Sequence, residues 1–236
     1  MFYFNLQYLY LLIPALLLSL YAQAKVSSTF RKYSSVRSAS GLTGAETAQR
    51  LLWAAGITDV RIERVRGNLT DHYDPSHRVL RLSESVYDSR SLAAVGVAAH
   101  ETGHAVQHAV GYGPLVLRSA MVPLTNIGSN FSWILIVLGL LFGSQAGSEF
   151  GYMLVQAGIV LFALVVVFTL VTLPVELNAS SRAVHMLGDN GILTQEELGP
   201  VKKVLTAAAM TYVASAAMAI AQLLRLILLF GGRRDD

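Results

Sequence analysis

The sequence predicts an α-helical membrane bundle of about four transmembrane helices, with a small α+β domain built from the polar stretches between them. Three observations carry this. Of 236 residues, 53% are hydrophobic and only 14% charged, where soluble domains carry about 25% charged residues. The apolar residues are clumped into four runs, each close to the ~20 residues that cross a hydrocarbon core. The long polar stretch between the first two runs alternates between helical and extended patterning. Cysteine is absent, which excludes disulfides, thiolate metal sites and a cysteine nucleophile. The net charge is +3, with no basic block interleaved with aromatics. The expected partner is therefore a lipid bilayer and not nucleic acid.

Residues 1–24 read as an N-terminal transmembrane anchor, FYFNLQYLYLLIPALLLSLYAQA. Ala22-Gln23-Ala24 looks like a signal-peptidase site, but no lysine or arginine precedes the apolar run, which favours an uncleaved anchor. Lys25, Arg31, Lys32 and Arg37 follow it and place that side in the cytoplasm. Residues 25–122 form the polar region. Thr43 and Glu46 make a capping box that opens a helix ended by Gly56. The runs DVRIERV and RVLRLS alternate like strands around the turn-rich RGNLTDHYDPSH, giving a small sheet or hairpin. Ser91 caps a second helix that reaches about Val110, where Gly111 and Gly113 break it.

Residues 123–173 hold two transmembrane helices, at 123–143 and 151–173. The connecting SQAGSEF (144–150) lacks basic residues, which suits the outer side. Residues 174–203 return to the first side as a helix and loop. Residues 204–236 form a last transmembrane helix, rich in small residues that allow close helix approach, and a tail, GGRRDD. That basic tail would sit outside, against the charge rule. Residues 25–122 and 174–203 thus share one face of the membrane.

The chemistry lies in VAAHETGHAVQHAV (97–110). His100 and His104 stand four apart on one helix face, so both imidazoles can reach one metal at about 2.0–2.1 Å. Glu101 lies beside them as a base for a metal-activated water. This is the H-E-x-x-H pattern of zinc metallopeptidases. Buried histidines that hold no metal would be the bland alternative, and they would be costly to leave uncompensated.

A catalytic zinc has three protein ligands and an open position. The third candidates are Glu176, His185, His108, His72, Asp74 and His77. Glu176 is an acid at a membrane boundary, where charge is costly unless paired. His108 sits one turn past His104 on the same helix, which suits support or substrate contact better than ligation. His185, nine residues past Glu176, would point away on a continuous helix. Asn178 and Arg182 flank Glu176, and Arg182 either pairs with a carboxylate or rests at the membrane surface. His72 and Asp74 form a polar cluster that equally makes a turn. Tyr212 is either an oxyanion donor or an interfacial tyrosine.

GLTGAE (41–46), GNLTDHYDP (67–75), RLSESVY (81–87), GVAAHETGHAVQHAVGY (96–112) and LPVELNASSRA (173–183) resemble the YugP-type membrane zinc metallopeptidases of bacteria, in the same order over nearly the whole chain. The resemblance implies a multi-pass peptidase of the bacterial inner (plasma) membrane, its catalytic region cytoplasmic, with Zn²⁺ as cofactor. It places the metal motif on His100, Glu101 and His104. The E-x-N-A-S segment is similar to the third-ligand helix of HtpX-type and prenyl-protein peptidases, which makes Glu176 the ligand. Those have E-x-x-A-D; here Ser180 replaces the acid, and Asn178 or Ser181 is expected to take over its role.

The expected domain is zincin-like, with Glu101 as general base and peptides or membrane proteins as substrates. The strand near Val79–Leu82 is expected to pair with an extended peptide. The competing expectation is a metal-stabilised membrane scaffold that binds partners and cleaves nothing.

Overall fold

The computed structural model describes residues 10–143 and 149–231. In chain order the elements are α1 (Leu12–Ser34), α2 (Gly44–Ala54), β1 (Arg61–Val65), β2 (His72–Asp74), β3 (Val79–Ser83), α3 (Glu84–Tyr87), α4 (Leu92–Ala109), α5 (Gly113–Gly143), α6 (Glu149–Asp189) and α7 (Gln195–Phe230). They sort into two compact units. One is Met1–Tyr21, Leu117–Leu173 and Tyr212–Asp236, the bundle unit. The other is Ala22–Val116 with Pro174–Thr211, the polar unit.

Among the described residues, α5, α6 and α7 are long and apolar enough to cross a membrane. A fourth span is not among them: α1 begins at Leu12, and residues 1–9 of the expected anchor lie outside the described residues. Residues 144–148 of the outer loop and 232–236 of the tail lie outside them too. The helices overrun the expected spans. α5 starts at Gly113 and runs through Pro123; α6 runs through Pro174 to Asp189; α7 starts before Pro200. A proline removes one helical hydrogen bond, a loss that membrane helices re-satisfy locally.

In the bundle unit, glycines let backbones touch. A Cβ on Gly158 would stand 2.7 Å from the Ser132 carbonyl, and one on Gly139 2.6 Å from the Gly151 carbonyl. Ile136, Val155, Ile159 and Leu226 pack into a buried cluster. Outward residues such as Phe131, Val160 and Leu228 remain exposed, which suits lipid.

In the polar unit, both arms of the Thr43–Glu46 capping box are present, and Gly56 ends the turn after α2 with φ +71°. The Ser91 hydroxyl accepts from Ala94 N–H and opens α4. Gly111, at φ +63°, ends the turn after α4, while Gly113 begins α5 rather than breaking the chain. The sheet order is β1-β3-β2. β1 pairs with β3 in parallel and β2 with β3 antiparallel, so the expected small sheet is present but the hairpin is not. The connection from β1 to β3 is long enough for a parallel crossover and contributes β2 on the way.

The Val79–Leu82 segment therefore offers no edge to a peptide. β3 is the central strand, flanked on both sides, with Val79, Leu80 and Leu82 fully buried. Leu52, Leu80, Leu82, Val86 and Ala98 bury one side of α4 against α2 and the sheet. Leu92, Val95, Ala183, Leu187 and Val201 bury the other against the ends of α6 and α7. Leu→Ala at such positions costs about 2–5 kcal/mol. α4 is thus clamped from two sides.

Candidate metal centre

α4 presents His100 and His104 from one face because they are one helical turn apart. Their rings meet edge to face, with centroids 4.8 Å apart. Glu176 of α6, 76 residues beyond His100, brings its carboxylate between them. Its Oε2 lies 3.2 Å from His100 Nε2 and 3.5 Å from His104 Nε2. Four ligands at about 2.0–2.2 Å around a tetrahedral zinc stand about 3.3–3.6 Å from one another, so these two separations are close to those around a shared ion. Among the described residues, this is the group of three or more histidines and acids whose donor atoms converge, all within 4.8 Å of one another. Glu176 is 2% exposed; a buried carboxylate facing two imidazoles has its charge compensated.

The approach of α6 depends on Gly103, inside the H-E-x-x-H turn. A Cβ there would stand 2.7 Å from the Ala179 carbonyl. Any larger residue pushes the helix that carries Glu176 away from the two histidines.

The outer nitrogens are occupied as well. Ser180 Oγ lies 3.1 Å from His100 Nδ1. His104 Nδ1 lies 3.0 Å from Gln107 Oε1. With both Nδ1 atoms engaged, both Nε2 atoms are left for a metal. Ser180 thus stands on the histidine itself, where Asn178 or Ser181 was expected to substitute. Asn178 instead accepts from Gln107 and from Arg182 Nε, at 2.9 and 2.7 Å, and Ser181 is exposed. Arg182 also lies over the Tyr112 ring, 6.0 Å from its centre.

Glu101 is buried beside the group. Burial pushes its carboxyl above the usual range, Glu176 and Asp71 add to that, and His100 and His104 oppose it. Burial disfavours charge on His104, but the hydrogen bond to Glu176 and the charges of Glu101 and Glu176 outweigh it and raise its pKa.

The other sequence candidates fall elsewhere. His108 is held 2.8 Å from the Tyr73 hydroxyl of β2. His72 is exposed, with Nδ1 2.8 Å from the Thr70 carbonyl. Asp74 pairs with His77 and Arg81, and the His77 bond draws its carboxyl down to about 2; this cluster is turn architecture. His185 is exposed. Tyr212 belongs to the bundle unit. Sequence reading passed over Gln107, Gly103 and the Tyr73–His108 link. The available signal for Gln107 was a polar residue three past His104, in the segment that carries the H-E-x-x-H motif.

Residues 8–231 match the family model described as "Putative neutral zinc metallopeptidase". The chain is 49% identical over 229 residues to "Putative membrane protease YugP" of Bacillus subtilis (strain 168), covering 97% of this chain and 99% of that protein. No solved structure matches.

Proposed function

The chain belongs to the neutral zinc metallopeptidase family, and from that premise we propose that it is a membrane-embedded peptidase that hydrolyses peptide bonds of membrane-associated substrates. One observation supports this above the rest: His100 and His104 from α4 and Glu176 from α6 converge on one point with Glu101 beside them. The three converging side chains would hold Zn²⁺, which supplies a Lewis acid for the scissile carbonyl and a water of pKa near 7. Glu101 accepts the proton of the attacking water on its carboxylate and delivers it to the leaving nitrogen. His100 and His104 keep Nε2 toward the centre because Ser180 and Gln107 occupy Nδ1. Burial of Glu101 and Glu176 excludes bulk water, which strengthens every charge interaction there. The basic residues that follow the apolar run of α1, Lys25, Arg31, Lys32 and Arg37, favour a cytoplasmic side for the catalytic region.

The test is metal content and turnover of purified protein. Wild type carries about one zinc per chain; Glu176→Gln and His104→Ala lose it. Glu101→Gln keeps the metal and loses cleavage of a membrane-protein substrate. Zinc retained in Glu176→Gln removes the third ligand from this reading. Unchanged partner binding and the absence of cleavage in every sample would leave a metal-stabilised scaffold.

A further inference from the structure

Gln107 is fully buried, and both polar atoms of its amide are engaged. Nε2 donates to the Val175 carbonyl and to Asn178 Oδ1, both at 2.9 Å. Oε1 lies 3.0 Å from His104 Nδ1. The chemistry leaves one orientation. A backbone carbonyl can only accept, so the atom facing Val175 is the NH₂ group, and the oxygen faces His104. That oxygen can only accept, so His104 Nδ1 carries the hydrogen. The lone pair of neutral His104 is then on Nε2, the atom facing Glu176. Asn178 is fixed by the same reasoning: its Oδ1 receives donors from Gln107 and from Arg182 Nε.

The amide therefore does two things at once. It selects the imidazole form that can bind a cation through Nε2, and it fastens α4 to the backbone one residue before Glu176. Partners of this kind orient metal-binding histidines, and their loss costs about 10–100-fold in metal affinity.

We propose that Gln107 is a positioning residue for the metal centre, acting through the His104 Nδ1–H form, so that the functional motif is His100-Glu101-x-x-His104-x-x-Gln107 joined to Glu176-x-Asn178. This rests on the metal-binding reading above but does not require that the substrate be known.

The test uses the full chain in detergent. Zinc affinity is measured by competition with a chromophoric chelator for wild type, Gln107→Leu and Gln107→Glu. Imidazole NMR of the zinc-loaded proteins follows the His104 Nδ1–H. Gln107→Leu removes the acceptor and both donors; affinity falls about 10–100-fold and the Nδ1–H exchanges rapidly with water. Gln107→Glu keeps an acceptor for His104 but loses the donors to Val175 and Asn178, so affinity falls less than in Gln107→Leu and the Nδ1–H stays protected. Gln107→Leu binding as tightly as wild type overturns the proposal. So does Gln107→Glu falling as far as Gln107→Leu, which reduces the residue to a clamp between helices. Should Gln107→Leu not fold, Gln107→Glu alone decides by its Nδ1–H signal. Wild type that binds no zinc overturns the peptidase reading itself, an outcome distinct from zinc-binding wild type with unaffected variants.

Discussion

Near Gly151 and Gly158, α6 meets α5 with the backbones almost in contact; near Ala179 it meets α4 in the same way, through Gly103. The surroundings differ. In the bundle the contact is lined by Ile136, Val155 and Ile159, and the buried Ser132 hydroxyl has no hydrogen-bond partner among the described residues. At the metal centre the glycine contact is ringed by Glu176, Asn178 and Ser180, each matched to a donor or acceptor on α4. One device, the missing Cβ, thus serves two purposes. In an apolar setting it gains dispersion contact. In a polar setting it fixes the distance between ligands, which must hold to within a few tenths of an ångström for a metal.

The variant with the largest expected effect acts inside the polar contact without disturbing it. Glu101→Gln lowers turnover at least about a hundredfold, the scale of a lost general base, while zinc content and melting temperature hold. Next come the two glycines, compared directly. Gly103→Ala forces a methyl against the Ala179 carbonyl, costs about 1–3 kcal/mol and weakens zinc binding in proportion to the displacement of Glu176. Gly158→Ala costs a similar amount of stability, yet zinc affinity of the folded fraction is unchanged. Equal zinc loss in both would mean that the two contacts are not distinct in purpose.

The pH dependence of zinc binding is a smaller effect. A ligating imidazole must be free of its proton at Nε2, and His104 in the metal-free protein holds its proton more firmly than an ordinary histidine. Zinc retention is therefore complete at high pH and begins to fall above the usual histidine value of about 6.5, as titration with a chelator present would show. The sign for the metal-free fold is opposite. The raised His104 contributes stability that is full below about 6.5 and is lost as pH rises through its higher folded value. The smallest effect is at Asp74. Asp74→Asn weakens the contacts to His77 and Arg81, costs about 0.2–1 kcal/mol and leaves zinc binding untouched; lost zinc would return that cluster to the site.

How much of this the sequence could tell depended on how local each feature was. His100, Glu101 and His104 declare themselves because one helical turn fixes their geometry. Glu176 was one of six candidates as an acid beside a membrane run, and the family resemblance singled it out; the structure brings it beside the two histidines. Gln107 was not legible, since a glutamine reads as surface until its three partners, two of them on α6, are in view. The pairing of β1 with β3 was equally hidden: alternation marks a strand but not its direction, and the turn-rich segment between them masked β2. The helices run past the expected spans at Pro123 and Pro174, residues that stop helices in water and are carried inside α5 and α6 here.

The 76-residue separation of His100 and Glu176 also sets an order of assembly. The chain between them holds α5 and the apolar part of α6, so the converging side chains close a ring through two helices long and apolar enough to cross a membrane. Glu176 leaves the ribosome only after both apolar segments have been synthesised, and until then the chain holds two of the three converging side chains. The three side chains can meet only once both of those helices have been made.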